Sequence, residues 1–491
     1  MFSMDPVTIL VSIVVVLFLA TIYQKAQKDK NLPPGPRPFP LIGSIHLIDL
    51  KRPHKSFIEL SKQYGPVYTI HLGMSKMVIL CGYDALKEAL INHADEFADR
   101  PRTPLLYKLQ KNHGIVYSNG ENWKAMRRFT LSTLRDYGMG KKGIEDKINE
   151  EAECLVQTFR SYGGKPFDHQ TILSAAVANI IVSVLLNRRC EYDDPTLLSL
   201  MKCVTECMRL LGTPMARLYN MFPTLIDPLP GAHNNIVAYI KQLHNFMRET
   251  LTKRRKDLDV NNQRSLLDAF LAKQQERKPE TILYYHDDNL TVLLAQLFGG
   301  AVETTSTTLR WSILIMIKYP EIQQKVQKEI ENVIGTAQPK MEHRKQMPYT
   351  HAVVCEVQRF GNISTATPPH ATACDITFRG YFLPKGTTIL PLLFSVLKDK
   401  AYFAKPDEFY PEHFLDADGN FKKNEAFIPF SAGKRSCAGE SLAKMELFLL
   451  FTILLKNFTL QAPPGTVVDL TPALGSINAP LPHEICAIPR N

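Results

Sequence analysis

Nine cysteines, an odd number scattered from Cys81 to Cys486, show no paired spacing in this 491-residue chain. A disulfide framework is thereby excluded, and the compartment is reducing. Cys203 and Cys207 lie one helical turn apart, but no further Cys or His completes a zinc site, so both read as core residues. A glycine-rich dinucleotide fingerprint and a flavin site are also missing, so any electrons the chain uses come from another protein. Length alone suggests about three domains, yet no Gly/Ser linker or composition break divides the chain after its first forty-odd residues. One large domain is preferred. Zinc-finger spacing and an RNA-recognition pattern are lacking too, so the net charge of +10 is assigned to a membrane surface and an acidic protein partner, not to nucleic acid. Scattered solvated lysines are the plainer alternative.

What is present begins with Val7 to Tyr23, a seventeen-residue run without a charge. Lys25, Lys28 and Lys30 follow it, and only Asp5 precedes it. That charge order opposes a cleaved signal peptide and places the C-terminal flank in the cytosol. Residues 1–24 are therefore expected to be a transmembrane anchor, residues 25–43 a basic and proline-rich hinge, and residues 44–491 the body. The proline density of Leu32 to Pro40 predicts a stiff extended spacer.

In the body, Tyr64 to Gly73 and Met77 to Leu80 alternate like two short strands around Gly73. A helix begins near Gly120 with Asn122 as its candidate cap, and Trp123 and Arg127, four apart, share a face. Residues from about 145 to 285 read as successive amphipathic helices that name no chemistry. Asp287-Asp288-Asn289 then caps a long apolar run to Ile317, interrupted by Gly299-Gly300-Ala301-Val302-Glu303-Thr304-Thr305. Glu303 and Thr304 are costly inside such a helix unless they are bonded or functional. Glu356 and Arg359 are spaced for an intrahelical ion pair. Last, Phe430 to Gly439 is a glycine-punctuated loop that delivers Cys437 to the start of a buried helix. The helix N-terminus and Arg435 both favour a thiolate there, which is chemistry for a soft metal.

Phe430, Gly433, Arg435, Cys437 and Gly439 match all five fixed positions of Phe-x-x-Gly-x-Arg-x-Cys-x-Gly. In this the chain resembles the cytochrome P450 family, and the likeness extends over anchor, hinge, Trp123-x-x-x-Arg127, the Gly-Ala-x-Glu-Thr element, Glu356-x-x-Arg359 and the Pro-Glu-His-Phe element at Pro411 to Phe414. Leu134 to Lys141 resembles the corresponding stretch of family 2, the microsomal branch. The resemblance implies a mainly α fold with a smaller β region and haem b held by Cys437 as the iron ligand. It assigns Arg100, Trp123, Arg127, His370 and Arg435 to the haem propionates, and Glu303 and Thr304 to proton relay in dioxygen activation. Gly300-Ala301 stands where Ala-Gly is usual, which bears on how the helix opens. His413 replaces the usual Arg of its element, so the third partner of the Glu356–Arg359 pair is expected to be weaker.

The implied activity inserts one atom of O2 into an apolar small molecule, a xenobiotic, fatty acid, eicosanoid or steroid. Electrons would pass from NADPH through NADPH–cytochrome P450 reductase, with cytochrome b5 as a further donor, at the cytosolic face of the endoplasmic reticulum membrane. Arg127, Arg128, Arg135, Lys141, Lys434 and Lys444 would face that partner. A peroxide-using isomerase or dehydratase of the same fold and a non-catalytic haem-binding membrane protein are the alternatives. Glu303 and Thr304 argue against the first, and the intact Cys437 with that pair against the second.

Overall fold

The computed structural model describes residues 31–137, 142–276 and 278–490. The expected anchor and the stretch Gly138 to Lys141 lie outside these residues. Among the described residues no helix is long and apolar enough to cross a membrane. The elements that position the site are, in chain order, α1 (Pro53–Tyr64), β1 (Val67–Leu72), β2 (Ser75–Leu80), α2 (Gly120–Asp136), α3 (Gln170–Leu186), α4 (Pro195–Leu211), α5 (Pro214–Met221), α6 (Ala232–Lys256), α7 (Asp287–Lys318), α8 (Pro348–Gly361), β3 (His370–Ala371), β4 (Thr388–Pro391) and α9 (Glu440–Asn457).

The mainly helical body is organised around α7. Its 32 residues span about 48 Å at the usual rise. Asp287 and Asp288 sit in its first turn, where the macrodipole favours acids, and they also pair with Arg255 and Arg248. The cap itself is His286, whose Nδ1 accepts from the Asn289 amide at 3.3 Å, not the Asp-Asp-Asn stretch expected. Pro320 ends the helix by forcing Tyr319 out of helical geometry. Almost every side chain between is buried, because α3, α4, α6 and α9 pack around it. α3 and α9 are themselves largely apolar and bury residues around most of their circumference, as enclosed helices do. The helix is continuous in secondary structure through Gly299, Gly300 and Ala301, the stretch whose opening the Gly300-Ala301 departure bears on.

The minor β region includes a four-stranded sheet of order β1-β2-β4-β3. Gly73, at φ 60°, closes the β1–β2 hairpin in which Leu72 faces Ser75. The proline-rich stretch is extended, and its end is docked: Pro34 accepts from the Thr69 amide, and a Cβ on Gly35 would meet the Thr69 oxygen at 1.8 Å. β3 pairs with β4 through His370 and Ile389, and Ala371 bridges to Asp99. That bridge ties the strand bearing His370 to the segment bearing Arg100.

The pair on α8 is fully enclosed. Both side chains of Glu356 and Arg359 are at 0% exposure, joined by two bonds of 2.7 and 2.8 Å. Arg359 also donates to the carbonyls of Leu397, Pro406 and Glu408. His413 completes the group: its Nε2 accepts from the Lys405 amide, which leaves Nδ1 as the donor to Glu356 at 3.2 Å. An imidazole therefore serves where an Arg was expected, and it stitches residues 405–413 onto α8.

Removing one partner of a buried ion pair strands the other. Arg359→Ala is expected to cost about 3–5 kcal/mol, and His413→Ala about 1–3 kcal/mol, in urea unfolding. A loss for Arg359→Ala no greater than that for His413→Ala would contradict this account of the pair.

Candidate functional site

The Phe430–Gly439 loop is held tightly against its neighbours. Gly433 has φ 72°, and a Cβ there would lie 1.7 Å from the Leu90 oxygen. Cys437 precedes α9 by three residues rather than standing in its first turn. Its amide donates to the Phe430 carbonyl, and the side chain is accessible. Burial nonetheless pushes the thiol's pKa up, against the lowering effect of the Gly439 and Glu440 amides and of Arg127. The sulfur is thus accessible and at the same time crowded by protein atoms.

This corrects the expected electrostatics. Arg435 does not serve Cys437, because its guanidinium points the other way. It donates to the carbonyls of Ala98, Ile115 and Ser118 and to Asn119, and lies 3.8 Å over the Trp123 ring. Arg127 is the cation at the cysteine, bonded to the Ser436 carbonyl at 2.8 Å. Protein groups alone thus leave the thiol protonated; a bound metal ion is what removes such a proton.

Arg100 completes a cluster. Its guanidinium bonds to the carbonyls of Val116, Pro368 and Pro369, and its amide donates to the same Asn119 oxygen that Arg435 uses. Asn119, which sequence reasoning passed over, is also the N-cap of α2. Asn122 is not the cap; it lies in the first turn and bonds to Asn112 and Asn289 instead. Among the described residues none of Arg100, Arg127 and Arg435 has a carboxylate within ion-pair distance. Burial lowers the pKa of Arg435 to about 8 and that of Arg100 to about 10, and the neighbouring guanidiniums add to both shifts, opposed at Arg435 by Asp99 and at Arg100 by Tyr117.

Two buried polar atoms beside the cluster have no partner: Trp123 Nε1 and His370 Nε2. The other nitrogen of His370 bonds to the Phe97 carbonyl at 2.7 Å, and burial with Arg100 and Arg435 nearby pushes its pKa to about 3. The ring is therefore neutral, and a carboxylate at Nε2 would draw the pKa back up. Three cations and an orphaned N–H fit a ligand with two carboxylates. Among the described residues no three His, Cys, Asp or Glu gather to hold a metal ion, so a metal at Cys437 has to bring most of its ligands with it. A metal macrocycle with two acid side chains, haem, satisfies both requirements.

Glu303 and Thr304 belong to a second group on α7. Thr304 donates to the Gly300 carbonyl at 2.6 Å, and Ser306 and Thr308 bond back to their own turns in the same way. Such bonds satisfy hydroxyls inside an apolar helix and bend it slightly. Glu303 is buried and accepts from Thr205 of α4 at 2.7 Å. Burial raises its pKa, opposed by Thr205 and by Arg310. Nothing in the sequence points to Thr205, because the pairing spans two distant helices. A cavity of about 660 Å³ borders both groups: Gly299 and Gly300 line it just before Glu303, and so do Pro368 and Pro369, whose carbonyls hold Arg100. Its remaining wall is mostly apolar, and its size suits a drug-sized ligand.

Of the expected partner-facing cations, Lys434 is paired with Asp95 and Lys444 with Glu440. Arg128 and Arg135 are exposed and make no ion pair among the described residues.

A mostly helical protein that offers an accessible cysteine beside unpaired, buried guanidiniums and an apolar cavity belongs to the class that binds haem through a thiolate and acts on small molecules. The chain belongs to the cytochrome P450 family, whose model matches residues 33–487. It is 46% identical over 489 residues to cytochrome P450 2C5 of Oryctolagus cuniculus, covering 99% of this chain and 100% of that one. Cytochrome P450 2C8 of Homo sapiens is 44% identical over 489 residues with the same coverage, and cytochrome P450 2K6 of Danio rerio 47% identical over 457 residues, 92% of this chain and 90% of that one. It is therefore a monooxygenase that uses haem iron, O2 and electrons derived from NADPH.

One buried acid escaped the sequence reading. Among the described residues Glu446 of α9 has Thr305 of α7 as its partner and an unpartnered Oε1, and burial pushes its pKa to about 8 from 4.5. Between those values the folded chain keeps a proton that the unfolded chain releases. Stability from this group is whole below about pH 4.5 and drains as pH rises toward 8, at most ~1.4 kcal/mol per pH unit. Glu446→Gln is expected to gain on the wild type between pH 6 and pH 8 in urea titrations; a constant difference would contradict the assignment.

Proposed function

We propose that Cys437 is the haem-iron ligand and that Arg100, Trp123, Arg127, His370 and Arg435 hold the two propionates. The observation that carries this reading is the cluster of buried Arg100 and Arg435 and half-buried Arg127, without an ion pair among the described residues, next to the single accessible thiol of the Phe430–Gly439 loop. Haem, when bound, supplies dioxygen activation by two electrons, with one oxygen atom going to substrate and the other to water.

The chain's own residues do the rest. The amides of Gly439 and Glu440 and the charge of Arg127 stabilise the sulfur once its proton has left. The mostly apolar wall of the cavity excludes water and selects an apolar substrate, of the xenobiotic, fatty-acid, eicosanoid or steroid kind. Thr304 already donates its own proton to Gly300, so its oxygen is free to accept from a water and hold it in place. Glu303, whose carboxyl is oriented by the Thr205 hydroxyl and whose pKa is raised by burial, is the acid that passes protons inward.

NADPH–cytochrome P450 reductase is the proposed electron donor, with cytochrome b5 as a second, and exposed Arg128 and Arg135 are the cations available to meet an acidic partner. The body, residues 44–491, would stand on the cytosolic face of the endoplasmic reticulum membrane, tethered by residues 1–24 through the hinge 25–43.

The ligand assignment is tested by the ferrous carbon monoxide spectrum, where the wild type is expected to give the red-shifted Soret band of thiolate ligation and Cys437→Ala to lose that band or the haem. An unchanged spectrum would overturn it. For Thr304→Ala in a system reconstituted with reductase, the expectation is comparable NADPH consumption, less oxidised product and more hydrogen peroxide per NADPH. Equal coupling in the two proteins would remove Thr304 from the relay.

A further inference from the structure

Opposite in character to the Gly299–Gly300 wall, one part of the cavity surface is polar and carries a guanidinium. It is made by α1, the β1–β2 hairpin and α5, and it includes His54, Ser75, Arg217 and Asn220. α5 turns Ala216 and Tyr219 into the core and leaves Arg217 half-buried along the cavity. Among the described residues this guanidinium makes no hydrogen bond and no ion pair. Arg100, Arg359 and Arg435, by contrast, each donate to several carbonyls.

The field around Arg217 is set by few groups. His54 is pushed down to about 4, first by burial and then by Lys55, Arg52 and Arg217, so several cations converge on it. Asp49 is the opposing charge. It is exposed, accepts from the Lys51 amide at 2.8 Å, and does not offset the desolvation that lowers the Arg217 pKa. A partly desolvated guanidinium with open donors binds an oxyanion strongly, because the bonds are charge-assisted and its planar fork matches a carboxylate. A neutral His54 has an N–H that can join the same oxyanion.

We propose that Arg217 is the anion-recognition residue of the substrate cavity, receiving the carboxylate or similar oxyanion of a substrate whose remaining body is apolar. The inference rests on the reading of this cavity as the substrate site and narrows its substrates to anionic amphiphiles. A membrane headgroup is the competing ligand, since Leu41, Met74 and Met215, on or beside the β1–β2 hairpin and α5, and Leu225 are exposed. Arg217 lines the cavity, whereas those side chains face outward, which favours the substrate.

The test is a Soret difference titration of purified holoenzyme, free of lipid, with straight-chain fatty acids and their methyl esters. In the wild type the acid should bind about tenfold more tightly than its ester. Arg217→Leu should weaken the acid alone and bring the two affinities together, and Arg217→Lys should keep part of the preference. An uncharged ligand should bind all three proteins equally. Because this reading is a ratio of affinities, it stands apart from turnover: loss of NADPH-dependent oxidation of an uncharged substrate in the wild type would defeat the functional reading instead. Equal binding of acid and ester by the wild type, or an unchanged ratio in Arg217→Leu, would overturn the proposal. So would an effect of Arg217→Leu confined to binding of vesicles containing phosphatidylserine, which would give the residue to the membrane.

Discussion

Arg100 and Arg435, drawn out of water into one corner of the fold beside the half-buried Arg127, have no carboxylate within ion-pair distance among the described residues. Arg100 and Arg435 use their donors on carbonyls, which satisfies hydrogen bonding but leaves their charge uncompensated. The segments they hold, residues 98–100, 115–119 and 368–370, are those that frame the site, so the same side chains build the pocket and await its anion. Burying unpaired charge is expensive, and a dianionic ligand that enters this corner contributes to folding as well as to function.

The buried cation on α8 is treated in the opposite manner. Arg359 meets Glu356, three carbonyls and, through Glu356, His413, so its group is closed and has no capacity left for a ligand. The Glu356–Arg359 charge is complete within the chain, whereas the proposed haem-binding cations are left open. Arg217, with no partner among the described residues, falls with the second kind.

Local chemistry was legible in the sequence. The cysteine loop, the Glu356–Arg359 spacing, the β1–β2 hairpin around Gly73 and the Trp123–Arg127 face all lie within a few residues of each other, where backbone geometry dictates the outcome. What failed depended on where side chains point. Arg435, two residues from Cys437, turns toward Ala98 and Ser118, and the cation at the sulfur comes from α2. Asn122 yielded the cap to Asn119, whose side chain is held by Arg100 and Arg435. The Gly299–Gly300 step stays helical although Gly300 is open to the cavity, where a Cβ would meet nothing. Thr205 with Glu303, and Glu446 with Thr305, are pairings across helices that no spacing rule reaches.

The central claim is that the cluster of Arg100, Arg127 and Arg435 exists to receive two carboxylates. It is tested most directly by loading haem-free protein with haem or with its dimethyl ester and measuring the two affinities. Haem should bind far more tightly than the ester, with the difference narrowing as salt is raised, though incompletely because the charges are buried. Equal affinity for the two would contradict the account.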